Sequence, residues 1–197
     1  MVNLPAIRSH VTSMLTAGLP KDLVYHDVHH TLDVTANCMI IAREEGLFDE
    51  QVLLELEIAS LYHDTGFIFI YNGHEKKSCD IAREQLPEFG VGIHAIDNIC
   101  SLIMATKIPQ TPKTDLQKII CDADLDYLGR DDFFETSEKL RTELLHYKLI
   151  RNEDWEKTQI DFLQNHQYFT VASRKKRTAA KIAFIKQLVE TKNIHLK

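Results

Sequence analysis

The spacing of apolar residues is the feature that most constrains this fold. Along most of the chain these residues recur every three or four positions, which is the pattern of amphipathic helices. Only seven glycines and five prolines interrupt the 197 residues, so there are few of the turns that join many short strands. We therefore predict an all-α protein of about eight or nine helices.

The apolar stripes and the turn residues between them set the predicted helix boundaries. The first helix is expected over residues 5–17. The second is expected to start between Asp22 and Asp27 and to end at Gly46. The segment at 67–71 is the most strand-like run, and we interpret it either as an apolar loop on the core or as a wall over a neighbouring pocket. The other helices are predicted at 49–65, 74–86, 93–107, 114–129, 131–147, 153–165 and 174–191.

The length and charge of the chain limit the classes of protein it can belong to. The length suits one domain that buries about 70% of its unfolded surface. We predict a single domain over residues 1–197, with a core at 22–129 and C-terminal helices at 131–193 packed on it. The 23 basic and 29 acidic residues give a net charge of −6, which argues against binding to a nucleic-acid duplex or a membrane surface.

Targeting signals and cysteine usage point to an ordinary cytoplasmic protein. The sequence begins without a basic region followed by an apolar stretch, and no apolar run approaches the length of a membrane span, so we expect the cytoplasm. The four cysteines are scattered, so we interpret them as small core residues rather than as a zinc knuckle or disulfide framework. The sequence leaves the oligomeric state open, a homo-oligomer included.

Polar residues on apolar helix stripes are the candidates for function. His63 continues the stripe formed by Leu56 and Ala59, so its imidazole is expected to point inward. Gly66 follows where a left-handed closing residue is expected, which puts His63 and Asp64 in the last helical turn. A buried charge must be paired or must coordinate a metal, so this His-Asp pair needs a partner.

The second predicted helix carries two more inward histidines. Tracing its apolar stripe back in steps of four from Val34 reaches His30 and then His26. His29 falls on a different face and is expected at the surface. His30 is therefore a candidate ligand, and His26 is a candidate proton carrier.

Three carboxylates alternate along the predicted helix at 114–129. Asp124 lies on the apolar stripe with Ile120, so we predict that it is the buried one. Asp122 and Asp126 fall on the opposite face and are expected to meet solvent.

Convergence of these residues would make a site of two histidines and two carboxylates. Imidazole and carboxylate ligands with water in the other positions suit octahedral Mn, Fe, Mg or Co better than a closed structural zinc site. The open positions are what catalysis requires. The alternative is four unrelated buried residues, each paired locally. The four residues are His30, His63, Asp64 and Asp124.

Four motifs occur in order along the chain, and they are YHDVHHT at 25–31, LYHDTG at 61–66, HEKKS at 74–78 and DADLDYLG at 122–129. Their order and spacing resemble those of the HD-domain metal-dependent phosphohydrolases. With LRTE at 140–143 downstream, the last motif looks most like small stand-alone HD hydrolases of unassigned substrate. The first motif also resembles the Tyr-His-Asn motif of helical cyclic-nucleotide phosphodiesterases. The resemblance implies a single compact HD-domain helical bundle.

The resemblance also implies roles for individual residues. It makes Asp64 a metal ligand able to bridge two ions, and it places His26 where those phosphodiesterases have a proton donor. The multi-metal members of the family carry further histidines near 105–107, which this chain lacks, although His74 could serve a second ion. The cofactor is thus expected to be one or two divalent ions of Mn, Mg, Fe or Co. The implied metal ligands are His30, His63, Asp64 and Asp124.

Three further residues are candidates for catalysis or substrate binding. Glu75 is expected to point inward at a helix N-terminus, where it could donate a proton through a water molecule. Lys107 and Arg141 are candidate phosphate clamps, because a negatively charged protein must focus positive charge to hold an anion. The alternatives are a helix-capping carboxylate for Glu75 and surface cations for the other two.

The expected function is hydrolysis of a small anionic phosphate ester, of a nucleotide or cyclic nucleotide, by attack of metal-activated water. Phosphomonoesterase and phosphodiesterase activity use the same water attack, so the sequence does not separate them. Two alternatives are a regulatory module that binds a nucleotide at a retained metal site and an oxygenase with a di-iron version of the HD site.

Overall fold

The computed structural model describes residues 2–195, and within them the chain forms nine α-helices and no strand, which confirms the all-α prediction. None of the helices in this part of the chain is long and apolar enough to cross a membrane. Single 3-10 turns lie at Thr65–Ile68, Leu86–Phe89, Asp126–Gly129 and Asn152–Asp154. The helices are α1 (Leu4–Gly18), α2 (Val28–Glu44), α3 (Glu50–Tyr62), α4 (His74–Gln85), α5 (Ile93–Ala105), α6 (Asp115–Asp124), α7 (Phe133–His146), α8 (Trp155–Asn165) and α9 (Val171–His195).

Two apolar clusters build the interior. The larger one joins the first six helices, with α2 packed between α3 and α6. The smaller one joins α7, α8 and α9 to the 3-10 turn at Asp126–Gly129, and it includes Tyr25 from the segment before α2. The four cysteines are all buried and free, which confirms their interpretation as core residues.

Helix α2 begins later than the predicted start between Asp22 and Asp27. Asp27 caps the helix, because its side chain accepts a hydrogen bond of 2.9 Å from the backbone N–H of His30. His26 therefore lies in the loop before the helix and not on its apolar stripe.

The prediction that Asp122 faces solvent and that Asp124 is the buried carboxylate is wrong. Asp122 is fully buried and accepts hydrogen bonds from the backbone N–H groups of Phe169 and Thr170, each 2.8 Å long, and from the Thr170 hydroxyl. The Asp124 side chain keeps 14% of its surface exposed. The segment before α9 covers a face of α6 that the local sequence pattern marks as polar.

Asp126 is also buried, contrary to prediction, because α9 packs against it. The Arg177 guanidinium donates two hydrogen bonds to the Asp126 carboxylate, at 2.7 and 2.8 Å. A Cβ atom on Gly129 would lie 2.5 Å from the Arg177 carbonyl oxygen, so glycine is required for this close approach. The helix predicted to continue to Gly129 instead ends at Asp124 and gives way to a 3-10 turn.

Gly66 is required for a close backbone approach and not for the left-handed conformation that the sequence suggested. Its φ is not positive, but a Cβ atom there would lie 2.0 Å from the His74 carbonyl oxygen. The Gly66 N–H donates to the Ser78 hydroxyl, which in turn donates to the His63 carbonyl, at 2.8 and 2.7 Å. The start of α4 is therefore docked on the turn that carries His63 and Asp64.

Replacing Gly66 with alanine is expected to destabilise the fold by about 1–3 kcal/mol, because the added methyl group meets backbone that cannot move aside freely. Urea unfolding followed by circular dichroism measures this loss. Gly92→Ala is the matched control, since a Cβ atom there meets nothing within 4 Å. Equal stability of the two variants would contradict the close approach at Gly66.

Candidate metal centre

Three helix ends bring imidazole and carboxylate groups to one point. His30 lies in the first turns of α2, His63 and Asp64 directly follow α3, and Asp124 is the last residue of α6. One ligand atom from each of His30, His63 and Asp124 lies within 4.8 Å of the others, so this group could hold a metal ion. Asp64 joins them because its Oδ2 atom faces both imidazoles.

The distances within the cluster are those of ligands around one ion. The Nε2 atom of His30 lies 3.4 Å from Asp64 Oδ2 and 3.4 Å from Asp124 Oδ1. The Nε2 atom of His63 lies 3.1 and 3.6 Å from the same two oxygens. Two atoms bound to one ion at about 2.1 Å, with an angle of about 90–110° between them, would be about 3.0–3.4 Å apart. The spacing therefore fits a shared divalent ion.

The hydrogen bonding of the imidazoles also fits metal binding. The Nδ1–H group of His63 donates to the Ser60 carbonyl at 2.7 Å, which leaves the Nε2 lone pair directed at the cluster. The Nε2 atoms of His30 and His63 and the Oδ2 atom of Asp64 are buried and have no hydrogen-bond partner. Buried polar atoms rarely go unpaired, and a divalent ion would satisfy all three at once. Gln110 orients Asp124 by donating a hydrogen bond of 3.1 Å to its Oδ2 atom.

Without an ion, both imidazoles of the cluster bind a proton more tightly than an ordinary histidine does. Burial lowers the pKa of His30, but the neighbouring carboxylates of Asp124 and Asp64 outweigh burial and raise the pKa to about 9. The same balance, with the charge of Asp64 as the main opposing cause, raises the pKa of His63 well above its usual value. Burial raises the pKa of Asp124, yet the two imidazoles bring it down to about 2.

His74 and Glu75 lie on the other side of Asp64. His74 Nε2 is 3.5 Å from Asp64 Oδ1 and 3.7 Å from Glu75 Oε1. The Nδ1–H group of His74 donates to the Tyr71 carbonyl at 3.0 Å, so its Nε2 lone pair also faces the site. Glu75 is buried at the first turn of α4, as predicted from its helix position.

His26 is held beside the cluster by Glu143, a fully buried residue of α7. One carboxylate oxygen of Glu143 accepts hydrogen bonds from the backbone N–H groups of Tyr25 and His26, each 3.0 Å long. The other accepts from His26 Nδ1 at 2.5 Å and from the Tyr71 hydroxyl at 2.8 Å. Burial raises the pKa of Glu143, but its bonds to His26 outweigh burial and hold it below the usual value.

The role of Glu143 was not predicted from the sequence, in which this residue was noted only as part of the LRTE motif. The available signal was its place on the apolar stripe of α7, one helical turn from both Leu140 and Tyr147. A carboxylate in such a position needs a buried partner, but no local pattern shows that the partner lies 117 residues earlier in the chain.

A cavity of about 380 Å³ opens beside the cluster. On one side it is lined by Asp64 and Asp124 together with His26, His74 and Glu75. Phe67 and Tyr71 also line it, whereas Phe69 is 61% exposed, so the segment at 67–71 is an irregular wall of the cavity and not a strand. His29 is exposed, as its helix face indicated.

The structure does not bring Lys107 and Arg141 to the cluster. Lys107 is exposed and does not line the cavity. Arg141 donates hydrogen bonds to Glu138 at 3.1 Å and to Asn152 at 2.7 Å, and it lines a separate surface depression. Both fit the alternative interpretation as surface cations.

The HD domain family model matches residues 27–126, just over half of the chain, and the chain belongs to this family. No curated protein matches the sequence. Two crystal structures share the fold. One is described as a predicted HD superfamily hydrolase from an uncultured Thermotogales bacterium, with 21% identity, a TM-score of 0.61, and coverage of 96% of this chain and 92% of the other. The second, a structural-genomics target from Lactobacillus plantarum, has 16% identity, a TM-score of 0.67, and coverage of 98% and 100%.

Asp124→Asn is expected to affect metal binding, whereas Asp122→Asn is expected to affect stability. Asp124→Asn should weaken Mn²⁺ binding by at least about 100-fold, because it removes a charged ligand. Asp122→Asn should keep the metal but cost about 1–3 kcal/mol of stability, because one acceptor for Phe169 or Thr170 is lost. Elemental analysis and urea unfolding of both variants test this pair. Equal metal content in the two would contradict the assignment of Asp124.

The affinity for Mn²⁺ is expected to rise with pH. Because the pKa of His30 is about 9 in the absence of metal, an ion that binds below pH 9 must displace its proton. One displaced proton makes the affinity rise about tenfold per pH unit, so the dissociation constant should fall by at least about 100-fold from pH 6 to pH 8. Calorimetric titration measures the constant, and titration in buffers of different ionisation enthalpy counts the protons released. A constant that does not change with pH would rule out these imidazoles as ligands.

Proposed function

We propose that the chain is a metal-dependent phosphohydrolase that cleaves a phosphate ester of a small molecule. The observation that carries the proposal is the convergence of His30, His63, Asp64 and Asp124 at one side of a cavity of ligand size. The chain belongs to the HD domain family, and the similar Thermotogales protein is described as a hydrolase.

The four ligand residues supply an open site for the ion. A divalent ion, when bound, lowers the pKa of a water molecule and polarises a phosphoryl oxygen. Asp64 and Asp124 together balance the charge of one divalent ion. Asp64 and Asp124 line the cavity whereas His30 and His63 do not, so the imidazoles would serve only as metal ligands and the carboxylates would also face the substrate.

His26 is the proposed proton donor to the leaving oxygen. Its Nδ1 atom is bonded to Glu143, which fixes the ring and leaves Nε2 available to the substrate in the cavity that His26 lines. Glu143 acts as a positioning residue, because it touches His26 and the backbone but does not line the cavity. Glu75 lines the same cavity and is the second candidate proton carrier.

The phosphate group is proposed to meet the ion together with His26 and His74, since Lys107 and Arg141 lie elsewhere. Nucleotides and cyclic nucleotides, the class that the sequence resemblance implies, are the first substrates to screen. Monoesters and diesters need the same water attack, so both belong in the screen. The position of His74 and Glu75 beside Asp64 supports room for a second ion.

A phosphate-release screen with Mn²⁺, Mg²⁺, Co²⁺ or Fe²⁺ tests the proposal. Metal-dependent hydrolysis that is lost in Asp64→Ala, with the helical circular dichroism retained, is the expected result. The screen is repeated without oxygen, because an oxygenase would then stop whereas a hydrolase would not. Stoichiometric metal without turnover of any ester would overturn the proposal in favour of a regulatory module.

His26→Ala is expected to keep the metal and to lower kcat by about 10²–10⁴. Glu143→Gln should lower kcat through the same step, so the double variant should be no slower than His26→Ala alone. The loss should shrink on an ester of p-nitrophenol, whose leaving oxygen needs no proton.

Steady-state kinetics on a poor and a good leaving group test these His26 and Glu143 variants. Glu138→Gln, an exposed carboxylate on the same helix, is the matched control and should keep the wild-type rate. Additive losses in the double variant would remove Glu143 from the action of His26.

A further inference from the structure

The charges that line the cavity are grouped around the candidate metal ligands. Among the lining residues they belong to Asp64, Asp124 and Glu75, with His26 and His74 beside them. Among the side chains that the structure describes, those of residues 2–191, no lysine or arginine lines this space. A substrate therefore meets ionic groups only at the metal cluster, where its phosphate must lie if the proposed function holds.

The larger part of the cavity lining comes from α7, α8 and the 3-10 turn after α6. Its surface is made mostly of leucine and aromatic side chains that also belong to the smaller apolar cluster. The other polar groups of the cavity lining are neutral side chains, and they come from Tyr25, Tyr71, Thr106, Tyr127, Ser137, Thr158 and Gln159. The apolar residues of this part of the lining are Leu125, Leu128, Phe133, Leu140, Leu144, Trp155, Phe162 and Leu163.

We propose that the group esterified to the phosphate is uncharged and largely apolar, of the size of a short aliphatic chain or an aromatic ring system. The inference rests on the proposed function, because it takes the phosphate to be at the metal cluster. The cavity is near the lower end of the roughly 300–1,000 Å³ that ligand pockets usually span, which suits a small metabolite.

The lining disfavours more polar phosphate esters for two reasons. A second or third phosphate would lie against leucine and aromatic side chains with no cation to pair with it. A sugar or nucleoside would lose water from several hydroxyl and amide groups, and the leucine and aromatic side chains that make up most of this part of the lining cannot replace those hydrogen bonds. An apolar group instead gains from leaving water.

Binding of alkylphosphonates to the Mn²⁺-loaded protein tests the proposal without any turnover. The probes are methyl-, butyl-, hexyl- and octylphosphonate, with the phosphonate analogue of adenosine 5′-monophosphate for comparison. The dissociation constant should fall about fourfold for each methylene added until the cavity is full, and by at least about 100-fold from methyl to hexyl. A change of less than about threefold across the series, or tighter binding of the adenosine analogue than of hexylphosphonate, would overturn the proposal.

Leu144→Gln places a polar group in the apolar wall. It should weaken hexylphosphonate binding by about tenfold or more and leave methylphosphonate binding unchanged. Leu145→Gln is the matched control, because Leu145 is partly buried on the same helix but does not line the cavity. Equal effects of the two variants on hexylphosphonate would contradict the assigned wall.

Parallel assays with hexyl phosphate and phenyl phosphate separate this inference from the proposed function. Tight hexylphosphonate binding without phosphate release from either ester would refute the hydrolase and leave the apolar site standing. Metal-dependent hydrolysis, together with dissociation constants that do not change along the phosphonate series, would support the hydrolase and refute the apolar site.

Discussion

The structure depends on the attraction between two carboxylates and two imidazoles that have little contact with solvent. Asp64 and Asp124 face the Nε2 atoms of His30 and His63 across 3.1–3.6 Å. Burial opposes charge on every one of these groups, so none of them would hold its charge there alone. Together they form either a proton-rich ion cluster or the ligand set of a divalent cation. Their atoms without hydrogen-bond partners and their spacing favour the cation.

The rest of the fold serves to hold that cluster in position. Each ligand lies at a helix end, where the backbone can change direction and several elements can meet. The contact between Gly66 and the His74 backbone docks α4 beside Asp64, which brings His74 and Glu75 to the cavity. The C-terminal part of the chain contributes Glu143, which fixes His26, and the apolar wall of α7 and α8. The proposed sites for the phosphate and for its organic group thus draw on different parts of the chain.

Local sequence patterns were sufficient for the helices and for most of the cluster. The helical period selected His30 over the exposed His29, and it placed His63 inward. The same period failed for Asp122 and Asp126, because segments some fifty residues later in the chain cover that face of α6. It also could not show that Glu143 contacts the loop before α2. A period of three to four residues shows which side chains share one face of a helix. It does not show which distant segment packs against that face, and the burial of polar side chains and the long-range ion pairs depend on that segment.

Anomalous diffraction at the manganese edge, from crystals grown with Mn²⁺, tests directly whether these four residues bind a divalent ion. We expect an ion between α2, α3 and α6, bonded at about 2.0–2.2 Å to Nε2 of His30 and His63 and to carboxylate oxygens of Asp64 and Asp124. A fully occupied manganese site elsewhere, or no anomalous peak among these four side chains at saturating Mn²⁺, would contradict it.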